Sequence, residues 1–180
     1  MPSIYLPAED SYLLEKILKK EIPKLLKKNS HLQFLEIGSG SGIILETAKS
    51  SGIKQEHIFG ADINQEAVER CKNLDFNCIY SNLFENVSGK FDIIVFNPPY
   101  LPKNSKEPAD SQLATTGGLS GSEIINEFLK QAENYLEENG RIFLLTSSLT
   151  KGIKWREFKK KKLGNEKLFF EELFVWELRK

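Results

Sequence analysis

The chain has 180 residues, of which 40% are hydrophobic, 28% charged and 11% aromatic. That is enough for one domain with a real core, and it excludes a fibrous or disordered protein. Lys plus Arg and Asp plus Glu number 25 each, so the formal net charge is zero and the strongly basic footprint of a nucleic-acid binder is missing. Cys71 and Cys78 have six residues between them and no CxxC pair, a pattern of buried, reduced thiols rather than a zinc site or disulfide framework. No basic-then-apolar signal segment opens the chain, and no apolar run reaches transmembrane length. A soluble, cytoplasmic protein with no membrane contact is the expectation.

In chain order, residues 1–7 read as short and extended, with prolines at 2 and 7. Ala8-Glu9-Asp10-Ser11 then opens a helix whose apolar face is Leu14, Ile17, Leu18, Ile22, Leu25 and Leu26. Pro23 either kinks this helix or starts a second one. Residues 1–30 thus form an N-terminal helical cap, in which Asp10 and Ser11 read first as helix capping. Residues 33–37 predict a strand, followed directly by Glu36-Ile37-Gly38-Ser39-Gly40-Ser41-Gly42 and a helix beginning at Ile43. Strand, glycine turn and helix make the nucleotide-binding unit of doubly wound folds, because glycines admit close backbone approach and free the N–H groups at the helix start. Ile58 to Ile63 predicts a second strand, and its Asp62 lies twenty residues beyond Gly42, placed to accept hydrogen bonds from both ribose hydroxyls of a nucleoside. The acid Glu36 suits a cationic ligand, a sulfonium with an ammonium group, better than a pyrophosphate. Asn64 caps a third helix with an inner stripe of Ala67, Val68, Cys71 and Leu74. Asn77 to Tyr80 is a short third strand at a sheet edge, and Asn82-Leu83 after it either flanks an adenine ring or is a plain loop.

The most informative stretch is Phe91 to Tyr100, FDIIVFNPPY. Ile93 to Phe96 is a continuous apolar run, the mark of a strand buried on both faces. It stops at Asn97-Pro98-Pro99-Tyr100, because proline donates no ladder hydrogen bond. The carboxyl end of a buried parallel strand is where open α/β sheets place ligands. The Asn97 side-chain oxygen and the Pro98 carbonyl are both acceptors on one stiff turn, suited to the two hydrogens of a planar –NH2 group, with Tyr100 to stack on it. Residues 101–121, rich in Pro, Ser, Lys, Thr and Gly, read as a substrate-facing loop with Gly117, Gly118 and Gly121 as flexible points.

Ser120 and Glu123 have capping-box spacing before the clearest amphipathic helix, with Ile124, Ile125, Phe128, Leu129, Ala132, Tyr135 and Leu136 on one face. Asn139-Gly140 is expected to end it, and Arg141 to Thr146 to form a fifth strand. Trp155 and Phe158 suggest a helix, and Lys159 to Lys162 its solvated end, with phosphate contact as the alternative. Leu168 to Leu178 holds one or two strands. The order of elements predicts a single α/β domain over 1–180 with a doubly wound sheet and helices on both faces.

These residues resemble a known family. EIGSGSG at 36–42, ADIN at 61–64 and NPPY at 97–100 look like a class I S-adenosylmethionine-dependent methyltransferase. With YLPAEDSYLL at the start and FFEELFVWEL near the end, the chain is similar to the short, archaeal and eukaryotic type of HemK-like glutamine N5-methyltransferase. The resemblance implies a mostly parallel, seven-stranded Rossmann-like sheet, S-adenosylmethionine as cofactor, and the Gly-Gly-Gln glutamine of a class 1 release factor as substrate. It implies cofactor contacts from Ser11, Glu36, Gly38, Gly40, Gly42, Asp62, Ile63, Asn82 and Leu83, with Asn97, Pro98, Pro99 and Tyr100 binding the substrate. Asn97, Pro98 and Tyr100 would be catalytic, and no metal site is implied. It also implies a small zinc-binding activator protein as heterodimer partner, paired with an edge strand. Two positions depart from the family pattern: Asn82 stands where an Asp is usual, and Leu113-Ala114-Thr115-Thr116 where a tryptophan is usual before Gly117-Gly118. The chemistry implied is in-line methyl transfer, in which the protein positions the reactants and binds the amide hydrogens more strongly as positive charge develops on nitrogen. NPPY serves adenine-N6 methyltransferases too, so an adenine amine or a lysine amine is the alternative acceptor. The loop mixes Lys103 and Lys106 with Glu107 and Asp110, a poor phosphate track that argues against nucleic acid.

Overall fold

The computed structural model describes residues 4–102 and 116–180. The expectations resting on Lys103, Lys106, Glu107, Asp110 and Leu113 to Thr115 lie outside the described residues.

The elements run α1 (Glu9–Leu26), β1 (Phe34–Ile37), α2 (Ile43–Ser50), a single 3-10 turn (Gln55–His57), β2 (Ile58–Asp62), α3 (Gln65–Asn73), β3 (Asn77–Tyr80), β4 (Phe91–Phe96), α4 (Glu123–Tyr135), β5 (Leu136–Ser147), β6 (Lys159–Lys167) and β7 (Glu172–Arg179). The strands form one seven-stranded sheet in the order β3-β2-β1-β4-β5-β7-β6. β3, β2, β1, β4 and β5 pair parallel, and β7 joins β5 and β6 antiparallel. The doubly wound, mostly parallel Rossmann-like architecture is therefore present.

Alternation along the strands splits the core into two layers. Ile93 and Val95 of β4 face α1, α2 and α3, packing with Leu14, Leu18, Leu45, Val68 and Cys71. Ile94 and Phe96 face the other way onto α4, with Phe128, Leu129 and the buried Phe84. Both faces are covered, which is why β4 is apolar at every inner position. Cys71 and Cys78 are buried free thiols.

Local signals explain several element ends. The Asn64 side chain accepts from the Glu66 N–H at 3.0 Å, capping α3. Glu123 reaches back to the Ser120 N–H at 3.0 Å and hydroxyl at 3.1 Å ahead of α4. Pro23 lies inside a continuous α1. Its exposed position leaves the carbonyl that lost a donor within reach of water. Among the described residues, no helix is long and apolar enough to cross a membrane.

Three expectations are corrected. α4 ends at Tyr135, and β5 starts at once, with Leu136 opposite Phe91 and Arg141 opposite Ile93. Asn139-Gly140 sits in the bulge between these pairs rather than at a helix end; burying Leu136 against the sheet outweighs the turn signal. Residues 151–158 contain no helix. Lys159 to Lys162 begin β6, because β7 offers them a backbone ladder, and their exposed side chains blunt the sheet edge. Lys160 lies over the Trp155 and Trp176 rings at 4.5 and 5.3 Å, so its charge is kept on an aromatic face.

Phe128 carries the α4 layer, with its ring centroid 5.5 Å from Phe84 and 4.6 Å from Phe96. Phe128→Ala should destabilise the fold by about 3–5 kcal/mol. In thermal unfolding that is a drop of roughly 6–20 °C for a chain of this size. A change below about 1 kcal/mol would show that α4 is not held by this packing.

Candidate functional site

The sheet order reverses between β1 and β4, and the loops leaving both strands diverge around a cavity of about 470 Å3. That size falls within the roughly 300–1,000 Å3 usual for small-molecule sites. The glycine turn after β1 supplies Gly38, Ser39, Gly40 and Ser41, and the turn after β4 supplies Asn97, Pro98 and Pro99. Ser11 comes from α1, Asp62 and Ile63 from the end of β2, and Asn82 and Leu83 from the turn after β3.

The glycine turn is tied down from several sides. The Gly38 N–H donates to the Ala61 carbonyl at 2.7 Å, and Arg70 Nε donates to the Ser41 carbonyl at 2.8 Å. Gly42 is left-handed at φ 86°, and a Cβ there would meet Leu74 at 3.0 Å, so only glycine fits. Gly42 does not line the cavity; it lets α2 start beneath it.

Asp62 links the turn to β2. Its Oδ2 accepts from the Gly40 N–H and its Oδ1 from the Asn64 N–H, both at 2.8 Å. Each oxygen keeps a lone pair for a hydroxyl donor. Burial raises the Asp62 pKa, and the N–H groups of Gly40, Asn64 and Ile63 oppose that rise. Glu36, buried at the end of β1, is raised well above the carboxyl range, first by burial and then by the nearby Cys71 and Asp62; the Leu45 N–H opposes this. Its Oε2 is buried and has no hydrogen-bond partner among the described residues. A buried carboxyl oxygen without a donor is costly, and a cationic ligand group would satisfy it. Ile63, Asn82 and Leu83 lie on the same wall, Leu83 with φ 51°, and can flank a flat ring. The donor set therefore fits a ligand with an ammonium group, paired hydroxyls and a planar ring. No group of three metal-ligating side chains occurs among the described residues.

At the other end of the cavity, Asn97 Nδ2 donates to Asp10 Oδ2 at 3.2 Å, while Asn97 Oδ1 is buried with no partner among the described residues. The Tyr5 and Tyr100 hydroxyls also donate to Asp10 Oδ2, at 3.0 and 3.5 Å. Burial first and the Asp10 charge second raise both phenols, so they stay protonated donors. Tyr100 does not line the cavity. Its ring packs against both core layers, and its carbonyl accepts from Thr150 Oγ1 at 2.9 Å.

Gly117 and Gly121 prove to be close-packing positions rather than hinges. The Gly117 N–H donates to the Leu101 carbonyl at 2.9 Å, and a Cβ on either glycine would strike the carbonyl of Pro99 or Tyr100. This glycine arch clamps the chain leaving NPPY.

Of the thirteen predicted site residues, all but Gly42 and Tyr100 line one cavity: Ser11, Glu36, Gly38, Gly40, Asp62, Ile63, Asn82, Leu83, Asn97, Pro98 and Pro99. Sequence reasoning missed Tyr5, Asp10, Ile124 and Glu127, which line it too. Local sequence reads Asp10 as a helix cap; the N-cap of α1 is instead Ala8, with no side-chain bond. Nothing local marks an acid whose partner is 87 residues away.

A family model described as the methyltransferase small domain matches residues 16–166. A protein of Methanocaldococcus jannaschii named as a protein N5-glutamine methyltransferase is 43% identical, over 97% of this chain and 90% of its own length. The eRF1 methyltransferase catalytic subunit mtq2 of Schizosaccharomyces pombe is 30% identical, over 82% of this chain and 74% of that protein. Among solved structures, the E. cuniculi Mtq2–Trm112 complex matches in fold with a TM-score of 0.75 at 23% identity, over 100% of this chain and 99% of that one. The chain therefore belongs to the methyltransferase small domain family.

Proposed function

We propose that this methyltransferase, acting as one domain over residues 1–180, transfers a methyl group to the side-chain amide nitrogen of a glutamine. The glutamine is that of a Gly-Gly-Gln loop in a class 1 release factor, in the cytoplasm. The observation that carries this reading is the buried, unpartnered Asn97 Oδ1, on a residue that lines the same cavity as Glu36 and Asp62. The relatives named as N5-glutamine and eRF1 methyltransferases support the choice of acceptor.

S-adenosylmethionine, when bound, supplies an electrophilic methyl group. Glu36 would hold its ammonium, Asp62 its ribose hydroxyls, and Ile63, Asn82 and Leu83 its adenine, with Ser11, Gly38 and Gly40 closing the wall. Asn97 Oδ1 and the Pro98 carbonyl accept the two hydrogens of the glutamine amide and aim its nitrogen. Those hydrogens grow more acidic as the nitrogen alkylates, so the same two acceptors bind the transition state more tightly than the ground state. Pro98 and Pro99 hold the acceptors still, so little ordering remains to be done at the moment of reaction.

Methyl-label transfer should therefore occur to release factor and fail when its loop glutamine is replaced by Asn, because the amide then falls one methylene short. Asn97→Ala should bind the demethylated cofactor within about threefold of wild type and lose at least 100-fold in kcat, the scale for one transition-state hydrogen-bonding group. Efficient methylation of adenine in DNA or RNA, with none on release factor, would overturn the reading.

Glu36 gives a pH signature. In the free chain burial favours its protonated form, so its contribution to stability is complete below the usual carboxyl pKa and is lost as pH rises through the raised one. Ammonium binding favours the charged form. Binding should release a proton below the raised pKa, and affinity should climb with pH up to it. Calorimetry in buffers of different ionisation enthalpy should show that release in wild type and its loss in Glu36→Gln. Equal proton counts in both would remove Glu36 from the ammonium site.

The zinc-binding activator would pair with β3, a sheet edge that leaves Ile79 39% and Tyr80 51% exposed. The E. cuniculi complex, in which Mtq2 is joined to Trm112, supports a partner of this kind. Ile79→Lys should abolish co-purification with the activator and leave cofactor binding intact; unchanged co-purification would move the interface elsewhere.

A further inference from the structure

Asp10 sits in the first turn of α1 and is 4% exposed. All its donors but Tyr100 come from residues that line the cavity. Oδ1 takes the Ser11 N–H at 2.6 Å and the Ser11 hydroxyl at 3.1 Å. Oδ2 takes the Tyr5 hydroxyl, Asn97 Nδ2 and, at longer range, the Tyr100 hydroxyl. No step of the transfer described above uses it.

Its chemistry nonetheless decides one thing. The two ends of an asparagine amide have nearly the same shape and opposite hydrogen-bonding character: the oxygen accepts and the nitrogen donates. A half-turn of the amide about its own axis would present –NH2 to the cavity, donor against donor for an incoming amide. A carboxylate can only accept. Facing one, the amide must turn its nitrogen to Asp10, which leaves Oδ1 as the end without a partner. Two protonated phenols and a serine hold the carboxylate so that it cannot swing away.

We infer that Asp10 is a positioning residue for methyl transfer, locking Asn97 in the one amide orientation that leaves its oxygen free for the substrate –NH2. It acts through Asn97 and touches neither reacting atom. Through this bond the N-terminal helix and the turn after β4, 87 residues apart, form one catalytic unit. The inference rests on the glutamine-methyltransferase reading for its kinetic consequence but not for its geometry, and the test separates the two.

The test uses Asp10→Asn in the full chain with its activator, a change that keeps shape and lets either end of the amide at position 97 face inward. Three quantities are measured: kcat on release factor, affinity for the demethylated cofactor, and the nitrogen-15 side-chain signal of Asn97 without substrate. In wild type that –NH2 should show one proton shifted by a carboxylate bond and slow exchange with water. In Asp10→Asn the shift should disappear and kcat should fall about tenfold or more, with cofactor affinity within about threefold, since the loss is confined to the acceptor side. An Asn97 signal unchanged by the substitution, or kcat retained within about twofold, overturns the inference. Should the variant fail to fold, a solvent-like, rapidly exchanging Asn97 –NH2 in wild type overturns it alone. If wild type methylates no glutamine, the proposed function falls while the signal from Asn97 still decides the geometry.

Discussion

The parallel register of β1 and β4 is the constraint on which the rest depends. Glu36 lies opposite Val95 and Ile37 opposite Phe96, so both strands end at the same level. The next residue of each chain, Gly38 and Asn97, therefore leaves the sheet side by side. A slip of one residue would turn the apolar set of β4 to the wrong layers and carry Asn97 away from the glycine turn. The two-layer packing of Ile93 and Val95 on one face, Ile94 and Phe96 on the other, makes such a slip expensive. Catalytic geometry is thus held by burying aliphatic side chains that never touch a ligand.

The cavity between those ends is a place of deliberate electrostatic discomfort. Glu36 and Asp62 both sit where burial penalises their charge, and the Asp62 charge adds to the penalty at Glu36. The chain compensates Asp62 through the Gly40 and Asn64 N–H groups and Glu36 through the Leu45 N–H alone. Glu36 Oε2 and Asn97 Oδ1 are left without partners among the described residues. Unsatisfied buried acceptors subtract from stability in the free chain, and that deficit becomes binding energy when a cation and an –NH2 group fill it. Both residues line the one cavity, and in the proposed function Glu36 stands on the methyl donor's side and Asn97 on the acceptor's.

The sheet has two edges, finished differently. β6 carries Lys159 to Lys162, and the lysines at 160 and 162 cover the rings of Trp155, Trp176 and Phe174. A charged edge resists the addition of another strand. β3 has no such protection and leaves Ile79 and Tyr80 open. The contrast leaves β3 as the edge open to strand addition and β6 as the edge closed to it. It also accounts for a lysine run that stands far from the cavity and contributes no phosphate-binding surface there.

Much of this was legible in the chain. The apolar run of Ile93 to Phe96 before two prolines determines a buried strand and its end, because proline cannot continue the ladder and solvent cannot satisfy that surface. The glycine spacing of 38–42 and the acid at 62 determine the ligand turn, since both are needed within one βαβ unit and are near in sequence. What only the tertiary structure decided involves partners distant in the chain. Lys159 to Lys162 become a strand because β7 supplies a ladder; lysine's own preference would not choose it. Leu136 leaves the helix because Phe91 offers a buried pairing. Gly117 and Gly121 serve close contact with the backbone of Pro99 and Tyr100, not flexibility. Asp10 reads locally as a helix cap and becomes the partner of Asn97 only when α1 is laid against the end of β4. Local sequence sets which groups are available, and folding sets which of them meet.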